Sequence, residues 1–267
     1  MKLSFAISLQ ETSFDSVGKG EWKEIGQKMS KIGYDGIEVA IKNPFDVDIN
    51  LLAKFLYENN LELSAIGTGQ AYFDEGLSLT STDLEKRKKA ITYLKKHMEL
   101  GSKFNAVVII GLIRGKIGHH QNNTEVLTLL SENIKELDEY AETIGAELAI
   151  EPINRYETDL MHTALQAANF IRENALCKTG ILLDTFHMNI EESQWIEAID
   201  SAKDYLKYIH ISDSNRRFPG CGHIDFSTII THIKKSGYKG FYSGEMLPLP
   251  NLDTALYNYY QYMKRML

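Results

Sequence analysis

Eight short apolar runs recur along the chain, each separated from the next by a stretch with helical periodicity, and this alternation restricts the folds open to it. The runs are LSFAISL from Leu3, GIEVAI from Gly36, LELSAIG from Leu61, AVVIIGLI from Ala106, ELAIE from Glu147, GILLD from Gly180, LKYIHI from Leu206 and GFYSGE from Gly240. Most are almost continuously apolar, as parallel strands covered on both faces must be. Between them, the capping box Thr82-Asp83-Leu84-Glu85 predicts a helix from Thr82 to near Gly101. Leu130, Ile134, Leu137 and Ile144 share one side of a helix over 124–144, stopped by Gly145. Near the C-terminus, Tyr257, Tyr260 and Met263 have the spacing of a core-facing helix. Strict β/α alternation predicts an α/β chain closed into a (β/α)8 TIM barrel. No linker-like tract divides residues 1–267, so one catalytic domain is expected. An open doubly wound sheet would carry a Gly-rich phosphate turn after its first strand, and SLQETSFDS has none.

Chemistry in such barrels gathers at the C-terminal ends of the strands. The fifth run ends on Glu151, the sixth on Asp184, the seventh carries His210 and the eighth ends on Glu245. Closure brings these four consecutive ends to one side of the mouth. Three carboxylates so placed repel one another unless a proton or a cation intervenes. The expectation is one divalent metal ion held by Glu151, Asp184, His210 and Glu245. Three oxygens and one imidazole nitrogen favour Mn²⁺, Mg²⁺ or Co²⁺ over a thiolate-seeking metal, with tetrahedral Zn²⁺ less favoured.

A net charge of −7 opposes a surface built for nucleic-acid phosphates or anionic membranes. Cys177 and Cys221 form no CxxC pair and suit a reducing compartment. The opening MKLSFAISLQET has a short apolar run broken by serines, unlike a signal peptide, and no later run is long enough to span a membrane. A cytoplasmic location is the expectation.

The segments EPINRYET, GILLDTFHMNIEE and HISDSNRRFPGCGHIDF and the Gly-Glu of SGEM resemble the xylose isomerase-like barrels of the sugar isomerase/epimerase superfamily. Within it they are most similar to the ketose 3-epimerases of the D-tagatose/D-psicose group. The resemblance is densest from Glu147 to Glu245. It implies that Glu151, Asp184, His210 and Glu245 are the metal ligands, with Mn²⁺ the expected ion. It implies further that Glu151 and Glu245 exchange the substrate proton, and that Glu157, His187 and Arg216 bind substrate. The implied reaction is C3 epimerisation of a ketose or ketose phosphate through an enediolate, with one glutamate on each face of the sugar. Homodimers or homotetramers are implied as well. A hydroxypyruvate-type isomerase or an inosose-type dehydratase would use nearly the same ligands. An endonuclease IV-like phosphodiesterase would need more histidine ligands and a basic face. A non-catalytic carbohydrate-binding barrel leaves the paired glutamates without a purpose.

Other positions carry alternatives. Arg114 and Lys116 follow the fourth run; Arg114 either grips a phosphate at the far end of the substrate or offsets acidic neighbours. His119 and His120 suggest a second metal, but adjacent loop residues seldom both ligate. Glu38 lines the barrel or supports the ligands from behind, the second being favoured. Tyr72 and Phe73 either cover the sugar or pack their own loop.

Overall fold

Parallel pairing runs without a break from the first strand to the last and then returns to the first. The computed structural model describes residues 1–118 and 122–266, and within them the sheet closes in the order β1 to β8. The strands are β1 (Lys2–Ser8), β2 (Gly36–Ala40), β3 (Glu62–Gly67), β4 (Val107–Ile110), β5 (Glu147–Ile150), β6 (Thr179–Asp184), β7 (Leu206–Ile211) and β8 (Phe241–Gly244). Closure is made by β1 against β8, with Lys2 opposite Phe241 and Phe5 opposite Gly244. Around the barrel lie α1 (Trp22–Ile32), α2 (Ile49–Asn59), α3 (Gly69–Glu75), α4 (Leu84–Phe104) and α5 (Asn123–Ile144). Then follow α6 (Ala164–Glu173), α7 (Thr185–Glu191), α8 (Trp195–Ala202), α9 (Phe226–Lys235) and α10 (Leu252–Lys264). The expected (β/α)8 architecture is therefore the one observed. None of the described helices is long and apolar enough to cross a membrane.

The strand interiors are filled, as the apolar runs require. Ala65, Ile109, Ala149, Leu182 and Tyr208 form an inner cluster. The Tyr208 hydroxyl meets Ser4 Oγ at 3.1 Å and Ser64 Oγ at 2.7 Å, so its polar end is satisfied inside the barrel. Pairing slips between Ile37 and Glu38, where Ser64 of β3 is left over, and between Ile181 and Leu182, where Lys207 of β7 is left over. Such bulges re-aim the side chains that follow them.

Some local expectations need correction. The N-cap of α4 is Asp83, whose carboxylate accepts from the Glu85 and Lys86 amides, so the Thr82 capping box does not form. The same helix continues beyond Gly101 to Phe104 and is capped by Asn105 in the left-handed region. Gly101 serves packing instead: a Cβ there would lie 2.9 Å from the Ala106 carbonyl oxygen and 3.0 Å from Val108 Cγ2. In α10 the core positions are Leu256, Tyr259 and Met263, and Tyr257 faces solvent. The α5 boundaries agree with the sequence, Gly145 closing that helix in the left-handed region. His119 and His120 lie outside the described residues.

One buried carboxylate anchors the entry to β6. Asp138 of α5 accepts from Cys177 N at 2.8 Å, Lys178 N at 2.9 Å and Thr179 Oγ1 at 2.6 Å. Removing it leaves three donors without their acceptor. Asp138→Ala should lower unfolding free energy by about 3 kcal/mol in urea titration; a loss below about 1 kcal/mol would show that water replaces the carboxylate there.

Candidate active site

Each of the four strand ends delivers its side chain to the same point. Asp184 is the last residue of β6 and pairs in register with His210 of β7, which in turn pairs with Ser243 of β8. Glu151 and Glu245 each stand one residue past their strand. One donor atom from each of Glu151, Asp184, His210 and Glu245 lies within 4.8 Å of the others. From His210 Nδ1 the distances are 3.6 Å to Glu151 Oε1, 3.6 Å to Glu245 Oε2 and 3.9 Å to Asp184 Oδ2.

Three of those atoms are buried polar groups without a hydrogen-bond partner among the described residues: Glu151 Oε1, Asp184 Oδ2 and His210 Nδ1. Orphaned groups of this kind are costly, and here they converge. Their neighbours explain why they are left free. Asp184 caps α7, its Oδ1 accepting from Phe186 N at 2.7 Å, which turns Oδ2 inward. Both Glu38 oxygens approach His210 Nε2, at 3.0 and 3.1 Å, and Ser243 Oγ donates to Glu38 Oε2 at 2.7 Å. A carboxylate only accepts, so Nε2 carries the proton and Nδ1 faces the carboxylates. This is the supporting role expected for Glu38. Gly111 also makes room, because a Cβ there would sit 2.9 Å from Glu151 Oε2. Two unpartnered carboxylate oxygens and an unpartnered imidazole nitrogen, with Glu245 Oε2 beside them accepting from Arg216, fit a divalent cation.

Without a cation the protons redistribute. Burial, reinforced by the Glu151 and Asp184 carboxylates, pushes Glu245 up to about 8 against the pull of His210 and Arg216. Burial likewise raises Asp184 to about 6 despite Arg216 and His210. For His210, burial favours the neutral ring, but Glu38, Glu245 and Glu151 outweigh it and hold the imidazole well above its ordinary value.

The three expected substrate-binding residues border this cluster. Arg216 is buried, takes a left-handed φ of 57°, and stacks over the Phe186 ring with 4.6 Å to the centroid. Its guanidinium donates to Glu245 Oε2 at 2.6 Å, to Ser16 Oγ at 2.9 Å, and stands 3.5 Å from Asp184 Oδ2. This settles which of the adjacent arginines points inward. His187 Nδ1 accepts from Asn154 Nδ2 at 2.8 Å, which leaves its Nε2 facing Glu151 Oε1 at 3.7 Å and Asp184 Oδ2 at 3.8 Å. Burial, then the charges of Arg216 and His210, hold His187 well below its ordinary pKa, so it is neutral. Glu157 works through Asn154, whose amide donates to its Oε1 at 2.9 Å; its own distance to His187 Nδ1 is 4.0 Å.

Two residues were not singled out by sequence reasoning. Asn154, three residues after Glu151, aligns both His187 and Glu157. Asp213 accepts from Ser214 N at 2.8 Å, Gly220 N at 2.8 Å and Ile224 N at 3.2 Å, and its carbonyl takes the Arg216 amide at 2.8 Å. It thereby shapes the loop that sets Arg216. Asp213 follows the ligand-bearing strand in HISD, which is the signal that could have marked it.

Of the two readings open for Arg114, the structure supports the second. Arg114 does not reach the far end of a substrate: it is 1% exposed, and its guanidinium donates to the carbonyls of Gly111, Leu160 and Met161 at 2.9 to 3.2 Å. Burial lowers it to about 10 while the Glu151 charge opposes that fall, so offsetting an acidic neighbour is the reading that survives. The space beside Gly115 is filled by Ser78 and Thr80. Phe73 does border the cleft, packed on Phe14 at 5.3 Å, whereas Tyr72 packs against the core.

These shifts set the pH dependence of metal binding. A cation must displace protons held by groups titrating near 6 and near 8, so its affinity rises with pH across that window. Adding Mn²⁺ to stripped protein should therefore raise Tm more at pH 8 than at pH 6, with apparent affinity gaining up to about tenfold per pH unit for each proton displaced. A gain in Tm that is the same at both pH values would contradict these assignments.

Comparison with known proteins agrees with the geometry. The family model described as Xylose isomerase-like TIM barrel matches residues 27–256. Over 264 residues the chain is 29% identical to the L-ribulose 3-epimerase of Methylomonas sp., covering 96% of this chain and 91% of the relative. Over 228 residues it is 33% identical to the L-ribulose 3-epimerase of Mesorhizobium japonicum, covering 84% and 75%. The crystal structure of D-allulose 3-epimerase from Methylomonas sp. in complex with D-allulose superposes with a TM-score of 0.81 at 26% identity, over 100% of this chain and 98% of that one. The chain therefore belongs to the xylose isomerase-like TIM barrel family, and its ketose 3-epimerase relatives make it an enzyme of the isomerase class.

Proposed function

We propose that this enzyme inverts C3 of an unphosphorylated ketose, using Glu151 and Glu245 as the two proton-transfer groups. The carrying observation is their placement: they flank His210 Nδ1 at 3.6 Å each, from strands on opposite sides of the ligand arc. A carbon held between them exposes one face to each carboxylate, as inversion by removal and return of a proton demands. The relatives named above, which are 3-epimerases of ketoses, support the same reading.

Glu151, Asp184, His210 and Glu245 would hold the divalent ion, Mn²⁺ before Mg²⁺ or Co²⁺, which when bound supplies positive charge beside the substrate carbonyl and makes the adjacent C–H more acidic. The remaining work falls to the chain. Arg216, paired to Glu245 at 2.6 Å, fixes that carboxylate's orientation and places a cation beside developing negative charge. Neutral His187 turns its Nε2 edge, beside Arg216 Nη1 at 3.3 Å, toward the sugar oxygens, while Asn154 and Glu157 hold the ring in position. Glu38 holds the His210 ring from behind.

The cleft also supports a free sugar over a phosphate ester. Among the described lining residues Arg216 is the one lysine or arginine, and its donors already serve Glu245, Asp184 and Ser16. The lining also includes the apolar side chains of Phe14, Phe73, Ala40, Leu112 and Ile153. Such a surface suits the carbon skeleton of a sugar and has no group to neutralise a dianion.

In D₂O, the Mn²⁺-loaded enzyme should place deuterium at C3 of a free ketohexose or ketopentose and yield the C3 epimer. Deuterium at C1 alone would replace the epimerase reading with an aldose–ketose isomerase. Glu245→Gln should keep the fold and reduce kcat by about 10²–10⁴-fold, since an amide cannot carry the proton; activity within a few-fold of wild type would remove Glu245 from proton transfer.

A further inference from the structure

Gln70 is the second residue of α3, directly after β3, and is 1% exposed. It lines the same cleft as Glu151, Arg216 and Glu245, beside Phe14 and Phe73. The orientation of its amide follows from its partner. The Ser8 hydroxyl donates its single proton to the Gln10 carbonyl, so it can only accept from Gln70, whose Nε2 stands 2.8 Å away. That turns Oε1 away from Ser8, and Oε1 is a buried oxygen with no partner among the described residues. Other polar groups nearby are engaged: Thr68 Oγ1 donates to the Ile109 carbonyl at 2.7 Å, and Glu38 is held by His210 and Ser243.

A buried amide oxygen aimed by a hydrogen bond and left without a donor is costly unless a donor arrives with the ligand. Position says which part of the ligand that is. The strand β3 lies across the barrel from β7, whose His210 sits in the carboxylate cluster. On the ketose reading C2 and C3 lie at that cluster, and Phe14, Gln70 and Phe73 of the lining are left to meet the rest of the carbon chain. We propose that Gln70 is a specificity-determining residue whose Oε1 accepts a hydrogen bond from a sugar hydroxyl beyond C3. This rests on the ketose reading above. The simpler alternative is that Gln70 only braces Ser8.

The test is a cycle on binding, carried out with the Mn²⁺-loaded full chain. Dissociation constants are measured by calorimetry for the tightest-binding ketohexose and its 4-, 5- and 6-deoxy analogues, with wild type and Gln70→Met. One deoxy sugar should bind wild type about tenfold more weakly than the parent, Gln70→Met should weaken the parent by a similar factor, and the variant should no longer discriminate between that pair. Equal weakening of all four sugars, or no weakening of the parent, would make Gln70 a brace and overturn the inference. Should Gln70→Met not fold, Ser8→Ala decides instead: it frees the amide, so loss of the same discrimination supports the role and full retention overturns it. Deuterium exchange at C3, followed in parallel, separates the two readings. Binding with the cycle intact but no exchange would overturn the epimerase and keep Gln70, whereas binding of no sugar by wild type would overturn both.

Discussion

Three carboxylates and an imidazole forced together out of solvent form the constraint around which the rest of this molecule is arranged. Burial first, and then the repulsion of the neighbouring carboxylates, raise Asp184 and Glu245 above the ordinary carboxylate range despite Arg216 and His210. The barrel imposes this proximity, since in-register parallel strands put consecutive strand ends side by side. A divalent cation would convert that repulsion into binding energy.

Much of the surrounding structure holds these groups in place against their mutual repulsion. Asp184 spends one oxygen on the α7 amide and offers the other. Glu38 fixes the His210 ring, and Asn154 fixes His187. Arg216 adopts a left-handed backbone that L residues reach at a cost, and the surrounding bonds hold it there: its amide is bound to Asp213, and its carbonyl accepts from Leu247 N at 2.7 Å. Since Leu247 lies two residues after Glu245, the loops after β7 and β8 are latched together where their side chains meet. Buried Arg114 plays the corresponding part on the β4–β5 side, tying Gly111 to Leu160 and Met161.

The strand ends were legible in the sequence because a carboxylate directly behind ILLD or ELAIE has no cheap structural explanation, and the (β/α)8 order followed from the apolar runs themselves. Helix ends were less so. Thr82 and Asp83 are both able caps, and only the path of the chain selects Asp83. Gly101 looks like a terminator but is a contact point between α4 and the strand beyond it. For Arg114 the sequence left a distant phosphate and an acidic neighbour both open, because two of the carbonyls that hold it lie 46 and 47 residues further along the chain. Gln70 and Asn154 belong to the same class: their meaning depends on partners such as Ser8, 62 residues away, and His187, 33 away. Periodicity does not encode such pairings.

The central claim is that the four strand-end donors act as one metal site. The direct measurement is a crystal structure grown with Mn²⁺, with the ion located by its anomalous signal. A single strong peak contacting Glu151, Asp184, His210 Nδ1 and Glu245 together is the result this account predicts. A peak that leaves out Asp184 or His210, or one found elsewhere on the barrel, would contradict it.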